Sequence, residues 1–265
     1  MKLRKHILIL CLGLESGFAA FEIQSVNPQL IALGGIVSLL PSSPNPAANT
    51  EQVGKLIRFD YSRLYGIKGL DCYEAYCSWT TVRHRALGLV LRSFGNPIYS
   101  ENTLELSWAV QYRDYLAIGI AANYFHIDIA GYGMSGTIGL SLGTKYYLSR
   151  TLQLAVLFQN INRPRIYSKL EHLPECFSLG MQLKPYRQLE WDVEVFKDTG
   201  FPFTPRTGIC IKALPFLDIR LGVQLNPDRL AGGFSFYWKG LRCDVAYLHH
   251  MVLPGTIYVG CGLCF

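Results

Sequence analysis

The chain has 265 residues, half of them hydrophobic and 13% aromatic, with a formal charge of +6 and a positive mean hydropathy. That composition is too apolar for an ordinary soluble domain, yet the longest clean apolar run, residues 7–14, is well short of the ~18 residues a spanning helix needs. No basic run of the kind that grips nucleic acid is present, which argues against that class of partner.

In chain order, Lys2, Arg4 and Lys5 precede the apolar stretch from Ile7 to Leu12, and small residues follow at Gly17, Ala19 and Ala20. This order predicts an export signal over residues 1–20, cleaved near Phe21, with an uncleaved anchor as the alternative. Residues 21–52 then show no alternation. Residues 30–40 are apolar around Gly34-Gly35, and a breaker-rich stretch follows in which Asn45 caps a short helix with Pro46 at its first position, ahead of Ala47. An apolar, glycine-bearing segment ahead of the first strand is expected to fold inward as a plug. A tail docked on the rim is the alternative.

From Val53 to Phe265 apolar and polar residues alternate, as in Leu104-Glu105-Leu106-Ser107-Trp108-Ala109-Val110, a period of two that only a strand gives. Both faces carry meaning: one is apolar, the other carries charges and glycines. The pattern predicts an all-β transmembrane antiparallel barrel of about 14 strands, with lipid on one side and a polar lumen on the other. The connectors form an independent test. Short turns such as Arg113-Asp114, Ser149-Arg150 and Lys239-Gly240 alternate with longer stretches at 95–102, 126–135, 160–174, 197–205 and 249–255. Short turns at one end and long loops at the other characterise outer-membrane barrels.

On the lumen face the alternation places Glu190, Asp192, Glu194, Lys212, Asp218, Arg220, Arg242 and Asp244. Facing lipid, an Arg or Lys costs ~2–4 kcal/mol at the midplane, so these charges are expected to point inward and to pair across strands. Aromatic residues near strand ends, among them Trp79, Trp108, Tyr112, Trp191 and Trp238, predict girdles at the headgroup level.

Seven cysteines follow the signal; Cys210 and Cys264 fall on the lumen face and Cys243 and Cys261 on the lipid face, so no disulfide framework is expected. Gly139-Leu140-Ser141-Leu142-Gly143 matches a hydrolase nucleophile pattern in letters, but it lies within an alternating strand rather than a strand-turn-helix elbow. The histidines lack zinc-ligand spacing. No catalytic residue, metal site or cofactor is therefore expected.

Ala32-Leu33-Gly34-Gly35 with Asn45-Pro46-Ala47, and the end of the chain from Gly232-Gly233-Phe234 through Leu241-Arg242-Cys243-Asp244-Val245-Ala246-Tyr247 to Phe265, resemble the PorV/PorQ family of FadL-like outer-membrane barrels. Val245 stands where that family has tyrosine, and Pro254 where leucine commonly precedes the glycine. The resemblance implies fourteen strands in the bacterial outer membrane, and either passage of small hydrophobic molecules or, in the PorV-like members, a scaffold or shuttle role toward secreted or surface proteins. Phe201 and Phe203, in a proline-bounded loop, are the candidate contacts for a hydrophobic ligand, with loops 160–174 and 197–205 as the mouth. The terminal Phe265, in register with Ile257, Val259, Cys261 and Leu263, resembles the signal read by the barrel-assembly machinery.

Overall fold

A computed structural model describes residues 20–265 apart from 53, 82 and 168–170. The export signal expected over 1–20 therefore lies, except for Ala20, outside the described residues. Fourteen long strands close into one antiparallel barrel. They are β1 (Gly54–Arg63), β2 (Asp71–Thr80), β3 (Arg85–Gly95), β4 (Tyr99–Tyr112), β5 (Leu116–Ile129), β6 (Gly133–Tyr147) and β7 (Leu152–Gln159), then β10 (Cys176–Tyr186), β11 (Leu189–Asp198), β12 (Thr204–Leu214), β13 (Leu217–Gln224), β14 (Arg229–Trp238), β15 (Leu241–His250) and β16 (Thr256–Cys264). Two short strands, β8 (Arg165–Ile166) and β9 (Glu171–His172), pair with each other within the connection from β7 to β10.

Each barrel strand pairs with its neighbours in sequence, and β16 pairs with β1 from Leu56 opposite Cys264 to Ser62 opposite Tyr258. Closure leaves no free edge, which a sheet in lipid cannot tolerate. The last residue takes part: Phe265 N–H donates to Lys55 O and Lys55 N–H to Phe265 O, at 2.9 and 2.7 Å. Its ring is exposed on the outside, with the Lys55 ammonium 5.6 Å away.

The outward face is the apolar one, as with Leu104, Leu106 and Trp108 on β4, while Glu105 and Ser107 between them are buried inward. The register slips only near the short-turn end, between Leu183 and Tyr186 and between Lys212 and Leu214. Pro185 sits at the first slip, where a residue without an N–H does least damage to the ladder.

The strand boundaries differ from the sequence reading in one region. The stretches 95–102 and 126–135, read there as long loops, are largely strand: Tyr99 pairs with Ile129, and Ile129 with Gly133. The physical reason is an inversion of polarity. On the lower part of β5 the apolar residues Ile118, Ile120 and Tyr124 face out, but higher up Phe125 and Ile127 are buried inside with Phe21, Ile166 and Leu173. Above the lipid an outward apolar face has no driving force, so the alternation changes sense while the ladder continues.

Candidate functional site

Residues 20–52 run through the barrel interior, and the wall meets them with two devices: glycines where backbones touch, and charged side chains that bond peptide groups. At the long-loop end, Phe21 N–H donates to Glu101 (3.0 Å) and the Phe21 ring lies 4.9 Å from that of Phe125. Next, a buried cluster on β1–β3 takes hold. Arg58 pairs with Asp60 and Glu74, Arg92 pairs with Glu74, Glu74 accepts from Ser25 Oγ and Val26 N, and Arg92 donates to Ile23 O.

The segment then forms one helical turn, α1 (Pro28–Ala32), against β13–β16. Asn27 caps it, accepting from Gln29 N at 3.0 Å, and proline takes the first position, where its missing N–H is no loss. Gln29 reaches the wall, donating to Ser235 Oγ and Asp244 Oδ1. After α1 both Gly34 and Gly35 have φ near +80°, a left-handed conformation that glycine adopts without strain. Space also requires glycine at the first: a Cβ on Gly34 would stand 2.7 Å from Val223 O.

The tightest grip follows. Glu194 accepts from Val37 N (3.1 Å), Ser38 N (2.9 Å) and Ser38 Oγ (2.5 Å), and Arg206 bridges Glu194 (3.3 Å) and Gly35 O (2.5 Å) with its guanidinium 4.0 Å from the centre of the Phe196 ring. Lys145, fully buried, donates to Leu39 O and pairs with Glu51 at 2.6 Å.

Beyond the turn, Asn45 caps the short 3-10 helix Pro46–Glu51 through Ala47 N (3.0 Å) and donates to Ser38 O and Thr144 O. Pro46 and Ala47 lie against Gly119, where a Cβ would be 2.7 Å from Ala47 N, and Leu33 lies equally close over Gly208. Wall glycines 88, 143, 180, 222, 233 and 260 face the same segment. Its backbone thus crosses the lumen with peptide groups such as Val26 N, Gly35 O, Val37 N, Ser38 N and Leu39 O bonded to wall side chains and others bonded within the segment, which is what a buried, irregular chain requires.

The charges read from the sequence divide into four groups. Glu190 pairs with Lys212 (2.6 Å) at the short-turn end, Glu194 works on the inner segment with Arg206, and Asp192 is buried without a hydrogen-bond partner. Asp218–Arg220 (3.1 Å) and Arg242–Asp244 (2.9 Å) pair along one strand rather than across strands, which corrects the expectation of purely cross-strand pairing. Residues i and i+2 share a face about 7 Å apart, a span the long arginine arm covers. Arg58, Asp60, Glu74, Arg92, Lys145 and Arg206 were not singled out from the sequence, although the same alternation on β1, β2, β3, β6 and β12 marks them. Phe201 and Phe203 are exposed in the loop between β11 and β12, and neither lines the interior. Ser141 is buried within β6, accepting from Asn123 at 3.2 Å.

Among the described residues, space remains at both ends of the lumen. At the long-loop end a cavity of about 400 Å³ is bounded by Leu30, Ile31, Phe94, Leu248 and Tyr258 together with Glu22, Gln24, Glu101, Arg206, Gln224, Arg229 and His250. At the short-turn end one of about 500 Å³ is bounded by Glu51, Gln111, Gln153, Gln182, Lys184 and Glu190 together with Leu40, Pro41 and Tyr147. Residues 33–50 separate them. Larger concavities of about 790 and 630 Å³ lie on the outward apolar wall over Phe59, Tyr73 and Tyr124 and over Trp79, Leu106 and Ile120. Among the described residues no group of three or more His, Cys, Asp or Glu side chains is placed to hold a metal ion.

No family model matches the chain, and no curated protein is similar to it in sequence. In three dimensions it is similar to the CymD monoaromatic hydrocarbon channel, with a TM-score of 0.68 at 15% identity over 93% of this chain and 99% of that one. It is likewise similar to the Pseudomonas putida toluene transporter TodX (0.65, 11% identity, 89% and 97%) and to a Pseudomonas aeruginosa FadL homologue (0.65, 10% identity, 92% and 99%). The likeness is one of fold, a closed antiparallel barrel of fourteen strands.

Proposed function

We propose that the protein is an outer-membrane channel that takes a small hydrophobic molecule into the long-loop cavity and passes it inward, with residues 21–52 as its gate. The observation that carries this reading is the arrangement along the lumen: a cavity at the long-loop end with an apolar patch of Leu30, Ile31, Phe94, Leu248 and Tyr258, a second cavity at the short-turn end, and a hydrogen-bonded chain between them. Short turns face the periplasm and long loops the exterior in barrels of this kind, so the chamber is the outer one. The printed descriptions of CymD as a monoaromatic hydrocarbon channel and of TodX as a toluene transporter support a hydrocarbon-like cargo. Ala32-Leu33-Gly34-Gly35 and Asn45-Pro46-Ala47, the elements that resemble PorV/PorQ chains, lie on wall glycines 119, 143, 208, 222 and 233.

The test compares wild type with a form lacking residues 21–48 in planar bilayers, alongside uptake of a monoaromatic hydrocarbon into vesicles. A silent wild type that admits hydrocarbon, and a truncation that conducts steadily, are the expected results. Silence and impermeability of both forms would overturn the channel reading and favour a docking role toward secreted or surface proteins.

A further inference from the structure

Cys243 on β15 and Cys261 on β16 stand directly opposite each other in the ladder, both exposed on the outward face, with their Sγ atoms 4.0 Å apart. The hydrogen-bond phase of the ladder fixes the kind of pair they form. Cys264 N–H donates to Gly240 O at 2.9 Å, so 240 and 264 are a hydrogen-bonded pair. Alternation then makes 242 and 262 hydrogen-bonded and 243 and 261 non-hydrogen-bonded. In such a pair the α-carbons approach to about 4.5 Å, inside the 4.4–6.8 Å span of a disulfide. Side-chain rotation with a small local approach of the two strands would bring the thiols to bonding distance.

The other cysteines are placed differently. Cys72, Cys176 and Cys210 are buried, Cys264 accepts from Gln52 inside the barrel, and the outward Cys77 has Ile57 and Leu89 as its cross-strand neighbours. Pairing 243 with 261 leaves these other five cysteines as thiols.

We propose that Cys243 and Cys261 are joined in the mature protein by a cross-strand disulfide, installed in the periplasm before the barrel enters the membrane. This rests on the outer-membrane reading, because only an exported chain meets a disulfide-forming compartment. The oxidant is the Cys-X-X-Cys disulfide of a periplasmic thiol–disulfide oxidoreductase. One thiolate of the pair attacks a sulfur of that disulfide, giving a mixed disulfide and releasing the oxidant's other sulfur as a thiol. The second thiolate then displaces the oxidant and forms the Sγ–Sγ bond. Two electrons and two protons pass to the oxidant, which leaves as a dithiol.

The bond has a structural purpose at this place. β16 must present a straight, in-register edge to β1, and Cys261 lies opposite Phe59 across that closing seam. A covalent tie to β15 at Cys243, three residues beyond the turn at Lys239-Gly240, excludes a register slip of the last strand, which would turn its apolar side chains to the lumen. Phe59 and Phe236 flank the pair along the same outward row, so in the finished barrel the bond is shielded from water-borne reductants.

The test uses full-length protein expressed in cells with an outer membrane, fractionated in the presence of an alkylating agent, digested without reductant and analysed by mass spectrometry. The expected result is a linked peptide joining 243 to 261, two hydrogens lighter than its separate halves, in protein from the outer-membrane fraction. In Cys243→Ser, Cys261 should become fully alkylated, and the converse should hold for Cys261→Ser. Outer-membrane protein with both thiols alkylated in wild type would overturn the bond while leaving the channel reading intact, even if an added oxidant later forces a link. Persistent protection of Cys261 in Cys243→Ser would overturn the pairing. Recovery of the chain outside the outer membrane would overturn the location and the bond together.

Discussion

The two ends of the lumen are built for different company. At the long-loop end Ile31, Phe94, Leu248 and Tyr258 gather into one apolar patch beside the charged Glu101, Arg206 and Arg229; at the short-turn end the amides of Gln111, Gln153 and Gln182 and the Lys184 ammonium share the wall with Leu40, Pro41 and Tyr147. The difference teaches where the barrier must lie. For the apolar cargo proposed above, the patch around Phe94 offers a contact surface, and the chain between the two spaces, residues 33–50, is the proposed control point. The wall residues that fasten that chain are the ones whose loss should blur the distinction between the ends.

The largest effect is expected at Glu194. Its carboxylate serves two backbone donors, one hydroxyl and Arg206 at once, all buried. Removing one partner of a buried, bonded charge pair costs about 3–5 kcal/mol because the other groups are left without partners. Glu194→Ala should therefore release the 35–38 stretch. The expected readout is intermittent current bursts in planar bilayers where wild type is silent, with a barrel that still shifts in mobility on heating. Glu194→Gln, which keeps acceptor capacity for part of this set, should burst less often. A variant as silent as wild type would show that the two ends are separated by something other than this clamp.

A smaller and more local effect is expected at Gly119, which lies under Pro46 and Ala47. Gly119→Val adds side-chain atoms where the inner chain already sits, and overpacking of this kind typically costs about 1–3 kcal/mol. The strain falls on the half of the segment nearer the short-turn end. Limited proteolysis should then cut within residues 40–52 in the variant and leave residues 21–35 protected. Equal protection throughout would mean that the wall, not the inner chain, gives way.

These contrasts also show what the sequence makes legible. The strands could be read because the membrane enforces one rule over most of the wall: apolar residues out, as at Leu104, Leu106 and Trp108. Where that rule stops, the reading failed, and the upper parts of β4, β5 and β6 passed for loops because Phe125 and Ile127 point in and Ser100 and Asn102 do not. The inner segment stands out by its lack of alternation and by Gly34, Gly35 and Asn45. The identity of its partners is another matter. That Glu74 meets Ser25, that Glu194 meets Val37 and Ser38, and that Lys145 meets Leu39 depends on the path of an irregular chain through space. No periodicity encodes such a path. Phe201 and Phe203 mark the limit from the other side: two aromatic residues in a loop carry no sign of whether they face a cavity or the solvent.

The smallest predicted effect tests the chemistry of the ends without disturbing the chain between them. Phe94, near the long-loop end of β3, lines the outer cavity, and Gln111, near the short-turn end of β4, lines the inner one. Phe94→Ala removes apolar surface that a bound molecule would cover, worth about 1–2 kcal/mol if most of one ring face is lost, which corresponds to a weakening of roughly five- to thirty-fold. Gln111→Ala removes a polar group from a space where an apolar molecule gains nothing by lodging. Titration of purified wild type and both variants with a small apolar fluorescent probe should show weaker binding for Phe94→Ala and no change for Gln111→Ala. Equal weakening by both would mean that the probe occupies the inner space as well, and the asymmetry of the lumen would then have to be sought in the gate rather than in the walls.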